Sequence, residues 1–367
     1  MNLARFSWLL ALVWMAMAGV SFAQEKYKPL SLNEMQQVVA NASKRAPVWN
    51  GPVSGPAGRV GMSVAVICED LRNGGVLGVA KGIGEALGVM GWRVRIFDAH
   101  GTSEGREKEI GAALAMKPDG VILVGSDAKS LESRLTAFAE RGIPLVGWHI
   151  GPVAGKLSSG PVAMNVSTDP LQVARITAMA AIVESRGHAR AVIFTDSSFE
   201  IAMAKANAMA EIIKGCQGCT LLEVRDVPIS QSAHLMPAVT RELQKRHEGR
   251  WTHALAINDI YFDYLVPELT KTGKAISLFS AGDGSSAAFL RIQARLLQGG
   301  TVAEPLNLQG WQLVDELNRL LSRAPVSGYV VPVHLVTPEN IAFDGGRKMI
   351  FDPDNGYRDI YRRIWKR

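Results

Sequence analysis

The sequence lacks the short motifs that identify the common enzyme classes. It contains no phosphate-binding loop, no Gly-x-Ser-x-Gly nucleophile elbow and no His-Glu-x-x-His zinc motif. Gly82 and Gly84 do not open a dinucleotide-binding fingerprint, because they fall inside a helical pattern and the third glycine is missing. These absences count against an enzyme, and we expect a protein without catalytic residues, cofactor or metal ion.

Cysteine is scarce, with three in 367 residues. Cys68 lies in an apolar, strand-like run, whereas Cys216 and Cys219 form a close pair in Gly-Cys-Gln-Gly-Cys. A zinc site would need two further ligands near this pair, and none is present. A thioredoxin-like redox pair needs its first thiol at a helix start, but this pair follows a predicted helix. We expect a structural disulfide in the turn, with free thiols and a redox pair as the alternatives.

Beyond the amino terminus, no apolar run is long enough to span a membrane. At the amino terminus, Arg5 precedes an apolar stretch over residues 9–20, and small residues follow at Ser21 and Ala23. This pattern is typical of an export signal, with cleavage predicted after Ala23. No cysteine follows the cleavage site to carry a lipid, so we expect a free protein in the periplasm.

Strong charge clustering is also missing, although the formal net charge is +6. The basic residues are scattered, except near the carboxyl terminus between Arg358 and Arg367. There they alternate with Tyr361, Ile364 and Trp365, which predicts a helix that packs its apolar side. We therefore expect no nucleic acid among the partners.

What the sequence does contain is a regular alternation of β-rich runs and longer helical patterns. The alternation covers residues 60–148, stops in the Gly-, Pro- and Ser-rich segment 151–160, and then restarts. It predicts βαβ units and parallel sheets, and apolar runs such as 121–124 are typical of strands buried on both faces. The length suits two lobes of about 130 to 150 residues each. The predicted fold class is therefore α/β, with a doubly wound sheet repeated once.

Polar residues follow nearly every predicted strand, at the sheet edge where open parallel sheets bind ligands. Each could equally be a helix cap or a turn residue. Their concurrence in both lobes favours a cleft for a polyhydroxylated ligand, because carboxylate, amide and guanidinium groups pair with hydroxyls and an indole packs on a sugar's C–H face. The candidates are Asp70, Arg72, Asn73, Ser126, Asp127, Trp148, His149, Ser197, Asn258, Asp259 and Asp283.

The chain resembles type I periplasmic binding proteins of the ribose- and galactose-binding family, the soluble components of sugar ABC importers. The resemblance spans about residues 60–336. It depends on Lys-Gly at 81–82, Lys-Pro-Asp-Gly at 117–120, Arg-Gly-Ile-Pro at 141–144, Asn-Asp at 258–259 and Gly-Asp-Gly at 282–284. It implies that Asn258 and Asp283 bind sugar hydroxyls, that Gln309 is the ligand-binding glutamine at the hinge, and that Lys205 is the nearest match to the family's ligand arginine.

The resemblance also implies two Rossmann-like lobes, joined by a three-segment hinge, with the ligand cleft between them. Crossings are expected near 167–169, near 308–309 and near 333–336. The expected divisions are a signal peptide (1–23), a leader helix and linker outside both lobes (24–57), an N-terminal lobe (58–167 with 309–333), a C-terminal lobe (168–308), and a carboxyl-terminal crossing and extension (334–367). Within the leader, Ser31 and Glu34 form a capping box that opens a short helix.

Two departures from the family bear on the ligand. Ribose receptors place two aromatic residues where this sequence has Gly75 and Val76, and an Asp-Arg pair where it has His149 and Ile150. We therefore expect a ligand other than ribose. The predicted function is a monomeric receptor that closes on a small polar, sugar-like ligand and delivers it to an ABC permease in the inner membrane. The alternatives are a receptor that signals to a chemoreceptor or sensor kinase, and an exported thiol-redox enzyme.

Overall fold

The amino-terminal leader contains a helix that begins at the predicted capping box. The structure, a computed structural model, describes residues 30–45 and 48–367, so the predicted export signal and its cleavage site lie outside the described residues. Helix α1 (Leu32–Ala42) follows Ser31, whose backbone N–H donates to the Glu34 carboxylate over 2.7 Å. The Ser31 hydroxyl in turn accepts a hydrogen bond from the Glu34 N–H. The reciprocal pair fixes the start of the helix.

The first lobe is a parallel-dominated sheet with helices on both faces. Its strands are β1 (Ser63–Cys68), β2 (Arg93–Asp98), β3 (Gly120–Val124), β4 (Leu145–Trp148), β5 (Gly155–Lys156) and β6 (Val162–Val166). They pair in the order β2-β1-β3-β4-β6-β5, and β5 runs antiparallel to its neighbour. The helices that connect them are α2 (Gly74–Met90), α3 (Ser103–Ala115) and α4 (Glu132–Ala139).

The second lobe repeats this architecture. Its strands are β7 (Arg190–Thr195), β8 (Thr220–Asp226), β9 (His253–Ala256), β10 (Ser277–Ser280), β11 (Gln298–Val302) and β12 (Leu335–Val336). They pair in the order β12-β11-β10-β9-β7-β8, and β12 is the antiparallel edge. The helices are α5 (Pro170–Glu184), α6 (Glu200–Gly215), α7 (Ser232–Arg246), α8 (Ile260–Thr272) and α9 (Ser286–Gln293), with a short 3-10 turn at Ile229–Gln231. The predicted α/β architecture of two doubly wound lobes is confirmed.

The chain crosses between the lobes at three hinge segments. Residues 167–169 join β6 to α5, and residues 303–305 join β11 to α10 (Leu306–Leu321), which packs on the first lobe against α2. Residues 322–334 then return the chain to β12. The second crossing lies a few residues before the expected position, because α10 already begins at Leu306.

Two glycines allow the contact that holds α10 on the first lobe. A Cβ atom added to Gly310 would lie 2.5 Å from the backbone carbon of Gly82, and one added to Gly82 would lie 2.8 Å from the backbone of Asn307. The backbones of α2 and α10 therefore touch, and any larger residue at either position would separate the helices.

Both ends of the chain add further links between the lobes. Helix α1 packs through Met35 on the second lobe, against α5, and does not stand outside both lobes as the sequence suggested. After β12, α11 (Ile341–Asp344) packs on α9, and the chain then returns to the first lobe as α12 (Tyr357–Trp365). The Trp365 indole stacks on Trp311 at 5.3 Å and donates to Asp315 over 2.8 Å. The predicted amphipathic terminal helix is thus present.

The close cysteine pair is joined as a disulfide between Cys216 and Cys219. It connects the carboxyl end of α6 to the start of β8, which is the turn position expected for a structural bond. In the described part of the chain, no helix combines the length and the apolar character needed to cross a membrane.

Candidate ligand-binding site

A cavity of about 270 Å³ lies between the lobes, at the carboxyl ends of the strands of both sheets. Residues that follow β1, β4, β7, β9 and β10 all reach it, which is the position where open parallel sheets bind ligands. From the first lobe it is lined by Glu69, Asp70, Asn73, Val76, Gly101, Ser103, Arg106, Gly125, Trp148 and His149. From the second lobe it is lined by Asp196, Ser198, Phe199, Ile201, Ala202, Lys205, residues 228–231, Ile257, Asn258 and Asp283.

One wall of the cavity carries a fixed guanidinium group. Arg106, from the first turns of α3, donates from Nε and Nη2 to the Glu69 carboxylate over 2.7–3.0 Å. Ser126 donates to the same carboxylate over 2.6 Å. The hydrogen bond to Glu69 is the largest cause that raises the pKa of Arg106. Because one edge of the guanidinium is occupied by Glu69, its orientation toward the cavity is held in place.

The loop after β1 places a second carboxylate at the cavity. Asp70 is buried and accepts hydrogen bonds from Nε and Nη2 of Arg72 over 2.7–3.2 Å, whereas the Arg72 side chain is 63% exposed and points away from the cavity lining. The next residue, Asn73, caps α2 by accepting from the Gly75 N–H over 2.9 Å. Arg72 therefore orients Asp70 from the solvent side.

The two lobes approach each other closely where α2 meets the loop after β10. A Cβ atom at Gly75 would lie 2.1 Å from Oδ2 of Asp283, so only glycine fits here. The Asp283 carboxylate also accepts a hydrogen bond from the Asn258 amide over 2.7 Å. Ribose receptors carry an aromatic ring at the position of Gly75. In this protein the Asp283 carboxylate of the opposite lobe lies against that position.

A buried polar network connects the cavity to the hinge. The His149 ring has Nε2 at 3.2 Å from Oε1 of Glu304 and Nδ1 at 3.7 Å from Oδ1 of Asp283. Glu304 stands on the second hinge crossing, and it accepts from the N–H and the hydroxyl of Thr168 on the first crossing over 3.2 and 2.5 Å. Glu304 therefore joins both crossings to the cavity wall.

The aromatic part of this network is fixed from behind. The Trp148 indole stacks on the His149 ring at 3.8 Å and donates to Oε1 of Gln309 over 2.8 Å. The Gln309 amide in turn donates to Glu304. Gln309 is fully buried behind Trp148 and does not line the cavity, unlike the ligand-binding glutamine that the family resemblance implied.

Burial and the neighbouring charges shift the pKa values of the carboxylates in this network. Burial on its own would raise the pKa of Glu304, but His149 and Lys205, with hydrogen bonds to the carboxylate, lower that pKa to about 2. Burial raises the pKa of Asp283, although His149 and Lys205 oppose the shift. Lys205 is itself buried and donates from Nζ to the Ala281 carbonyl over 2.7 Å. Glu304 is therefore a carboxylate at neutral pH.

The second lobe completes the cavity with a polar loop and an apolar face. Asp196, after β7, accepts from the N–H groups of Ser198 and Ile229 over 2.9 and 2.7 Å. It thereby joins the two loops that form this wall. Phe199 lines the same wall, while Trp148 lines the first-lobe side. The cavity thus has an aromatic side chain from each lobe as well as hydrogen-bonding groups, a combination suited to a sugar-like molecule.

Asp259 organises this wall without lining the cavity. It is fully buried and accepts from the N–H groups of Gly284 and Ser285 over 2.8 and 2.9 Å, and it also contacts Ser280 and Gln298. These bonds hold the loop that presents the neighbouring Asp283. Asp259 was expected among the ligand-binding residues from its position after β9, but its carboxylate points into the lobe.

The chain matches the sequence profile of a periplasmic binding protein domain over residues 64–324, which is most of its length. It belongs to that family. No curated protein sequence is significantly similar to this periplasmic binding protein.

Solved structures with the same fold include several solute-binding proteins. One is an ABC transporter solute-binding protein from Agrobacterium vitis with bound allitol, at 16% identity and a TM-score of 0.67, covering 77% of this chain and 97% of the other. A second from the same organism, bound to alpha-D-tagatopyranose, has 14% identity and a TM-score of 0.70, with 79% and 99% coverage. A carbohydrate transporter protein from Agrobacterium radiobacter with D-arabinose has 15% identity and a TM-score of 0.69, with 79% and 99% coverage.

The structure divides the residues expected from the sequence into two groups. Those that line the cavity are Asp70, Asn73, Trp148, His149, Lys205, Asn258 and Asp283. Those that lie outside it are Arg72, Ser126, Asp127, Ser197, Asp259 and Gln309. Most residues of the second group hold a cavity residue in place through a hydrogen bond, as Ser126 does by donating to Glu69. The Ser197 hydroxyl donates a hydrogen bond to Asp226 at the cleft surface. Asp127 accepts a hydrogen bond from the Glu200 N–H of the other lobe.

Several cavity residues were not among the expected ones. Glu69 and Asp196 directly follow strands and share the signal by which the others were found. Arg106 and Phe199 carry no such signal, because one lies inside a helix and the other at a helix start. Only the tertiary arrangement brings these two residues to the cavity.

Proposed function

We propose that the protein is a periplasmic receptor of an ABC importer that closes around a small polyhydroxylated solute, a sugar or an alditol. The observation that carries this proposal is the cavity enclosed by both lobes, with hydrogen-bonding side chains and one aromatic side chain from each. The bound sugars and alditol of the structurally similar receptors support this ligand class.

The charges of the cavity favour a neutral or cationic solute over an acidic one. Among the described residues, four carboxylates line it, at Glu69, Asp70, Asp196 and Asp283. The fixed cations in the same lining are Arg106 and Lys205. A sugar acid would add another negative charge beside these carboxylates, and like charges at short distance repel. Hydroxyl groups can instead donate to the carboxylates and accept from the two cations.

The proposed mechanism is hinge closure without bond breaking. A solute binds to one lobe, the second lobe closes on it, and the closed form is recognised by a permease in the inner membrane. The protein acts as a monomer released into the periplasm after removal of residues 1–23. The network around Glu304 supports this mechanism, because it joins two hinge crossings to the cavity residue His149.

The disulfide supports a receptor over an exported redox enzyme. Phe199 and Ile201 at the amino end of α6 line the cavity, whereas Cys216 and Cys219 follow its carboxyl end. A 16-residue helix separates the two by about 24 Å. The remaining thiol, Cys68, is buried, and burial raises its pKa to about 12, which suits an inert side chain.

A thermal-shift screen of the mature protein tests the proposal. The panel contains allitol, D-tagatose, D-arabinose and glycerol, with other hexoses, pentoses and alditols, and with sugar acids, nucleosides and amino acids as contrasts. We expect a neutral sugar or alditol to raise Tm, because a solute that binds only the folded form stabilises it by mass action. A shift confined to amino acids or nucleosides would show that the assigned ligand class is wrong.

Two variants separate cavity binding from general effects. Asp283→Asn should abolish the shift given by the active compound, because it removes a carboxylate that lines the cavity and contacts Asn258 and His149. Ser197→Ala is the matched control, since Ser197 lies at the cleft surface outside the cavity. A compound that shifts both variants equally binds elsewhere.

A further inference from the structure

Helix α6 begins at the cleft without a side-chain cap of its own. Its N-cap position is Phe199, which has no hydrogen-bonding group, and no side chain of the helix start caps it. The first N–H groups of a helix have no partner within the helix and need one from elsewhere. The N–H of Glu200, the first helical residue, therefore needs an acceptor.

The first lobe supplies that acceptor. Oδ2 of Asp127, in the loop after β3, accepts from the Glu200 N–H over 3.1 Å. Oδ1 of the same carboxylate accepts from the Ser130 N–H over 2.8 Å, which fixes its orientation. Beside this contact, Nζ of Lys129 lies 2.5 Å from Oε1 of Glu200. Asp127 is 6% exposed and does not line the cavity.

We infer that Asp127 is a closure latch, a positioning residue that caps α6 across the cleft and holds the lobes together even without a solute. The inference rests on the proposed hinge closure and deepens it. Opening the hinge would separate Asp127 from Glu200, because the two residues belong to different lobes. A carboxylate at a helix amino terminus is also favoured by the helix dipole. The latch therefore favours the closed form without touching the solute.

The size of the effect follows from the value of a helix cap. Loss of an N-cap hydrogen bond costs about 1 kcal/mol, which would lower the ratio of closed to open protein about fivefold. The neighbouring ion pair contributes less, because Lys129 and Glu200 are solvent-exposed and water screens the attraction between exposed charges.

Matched variants isolate the hydrogen bond from the ion pair. Asp127→Asn keeps one oxygen for Ser130 but leaves none for the second donor. Glu200→Ala removes the ion pair and keeps the N–H, whereas Glu200→Pro removes both. Proline suits the first helical position, and the extended backbone of Phe199 (φ −123°, ψ 122°) suits a residue before proline.

The measurement is the distance distribution between spin labels on the two lobes of the solute-free protein, by pulsed electron paramagnetic resonance. Labels at Lys108→Cys on α3 and His234→Cys on α7 are exposed and lie on helices that start near the cavity. We expect a short-distance population in the parent. The ratio of short to long distances should fall about fivefold in Asp127→Asn and, relative to Glu200→Ala, about fivefold in Glu200→Pro. Adding Asp127→Asn to Glu200→Pro should lower the ratio no further than Glu200→Pro alone.

Three results would overturn the latch: a parent with no short-distance population, an unchanged distribution in Asp127→Asn or Glu200→Pro, or fully additive effects in the combined variant. Circular dichroism and Tm identify any variant that fails to fold. The experiment uses no solute, so its outcome is independent of the thermal-shift screen. If the variants change the distances but no panel compound raises Tm, only the proposed function is contradicted. If a panel compound raises Tm but the variants leave the distances unchanged, only the latch is contradicted.

Discussion

Replacing Glu304 by glutamine should destabilise the protein through the loss of a single buried negative charge. His149 and Lys205 lower the pKa of this carboxyl from its ordinary value of 4.5 to about 2. This difference corresponds to about 3 kcal/mol of folding free energy at neutral pH. Glutamine keeps the shape and an oxygen for the Thr168 donors but cannot provide the charge. We therefore expect Glu304→Gln to lower the free energy of unfolding by about 3 kcal/mol at pH 7.

The effect should depend on pH in a defined direction. Because the folded-state pKa of Glu304 is lowered, its stabilisation is fully present above pH 4.5 and is lost as the pH falls toward 2. Integrating between these values, about 2 kcal/mol is lost by pH 3. The difference between wild type and Glu304→Gln should therefore be nearly constant above pH 5 and should shrink to about 1 kcal/mol at pH 3.

Urea unfolding followed by circular dichroism at pH 7, 5, 4 and 3 measures this difference. Glu140→Gln is the matched control, because Glu140 is solvent-exposed and the same chemical change there should alter stability by less than about 0.5 kcal/mol. A difference below about 1 kcal/mol at pH 7, or one that does not shrink below pH 5, would show that His149 and Lys205 do not hold Glu304 as a carboxylate.

Two further predictions concern the cleft and the disulfide. Gly75→Ala places a Cβ atom 2.1 Å from Oδ2 of Asp283, so it should hinder closure and weaken binding of the active panel compound at least about tenfold by titration calorimetry. Gly84→Ala is the control: Gly84 lies on the exposed side of the same helix, and a Cβ atom there would have no heavy atom within 4 Å. This variant should bind like wild type and should raise the free energy of unfolding by about 0.5 to 1 kcal/mol. Equal affinities of Gly75→Ala and wild type would refute the steric argument. Replacing Cys216 and Cys219 together by serine should lower the free energy of unfolding by about 1 to 2 kcal/mol without changing affinity, and a loss of binding would contradict a purely structural disulfide.

Much of the fold could be predicted because its signals are local. The apolar run 121–124, expected to be a strand buried on both faces, forms β3 (Gly120–Val124), which is buried along its whole length. Strand β11 has a much weaker local signal, since Gly299 and Gly300 in its centre reduce strand propensity. These glycines have a tertiary cause: a Cβ atom at Gly299 would lie 2.5 Å from the Phe279 ring.

The site was predictable only to the level of strand ends. The position of a residue after a strand indicates that it lies near the cleft, but the direction of its side chain depends on the loop. Asp259 and Asp283 both follow central strands of the second sheet, yet one turns inward to the loop N–H groups and the other reaches the cavity. Asp127 has the same signal and instead caps a helix of the other lobe.

The most direct test of solute binding by both lobes is titration calorimetry of three proteins with the panel compound that raises Tm most. These are wild type, Asp70→Asn in the first lobe and Asp283→Asn in the second, since both carboxylates line the cavity from opposite sides. We expect binding at one site in wild type and at least about tenfold weaker binding in each variant. Wild-type affinity in either variant would contradict enclosure of the solute between the two lobes.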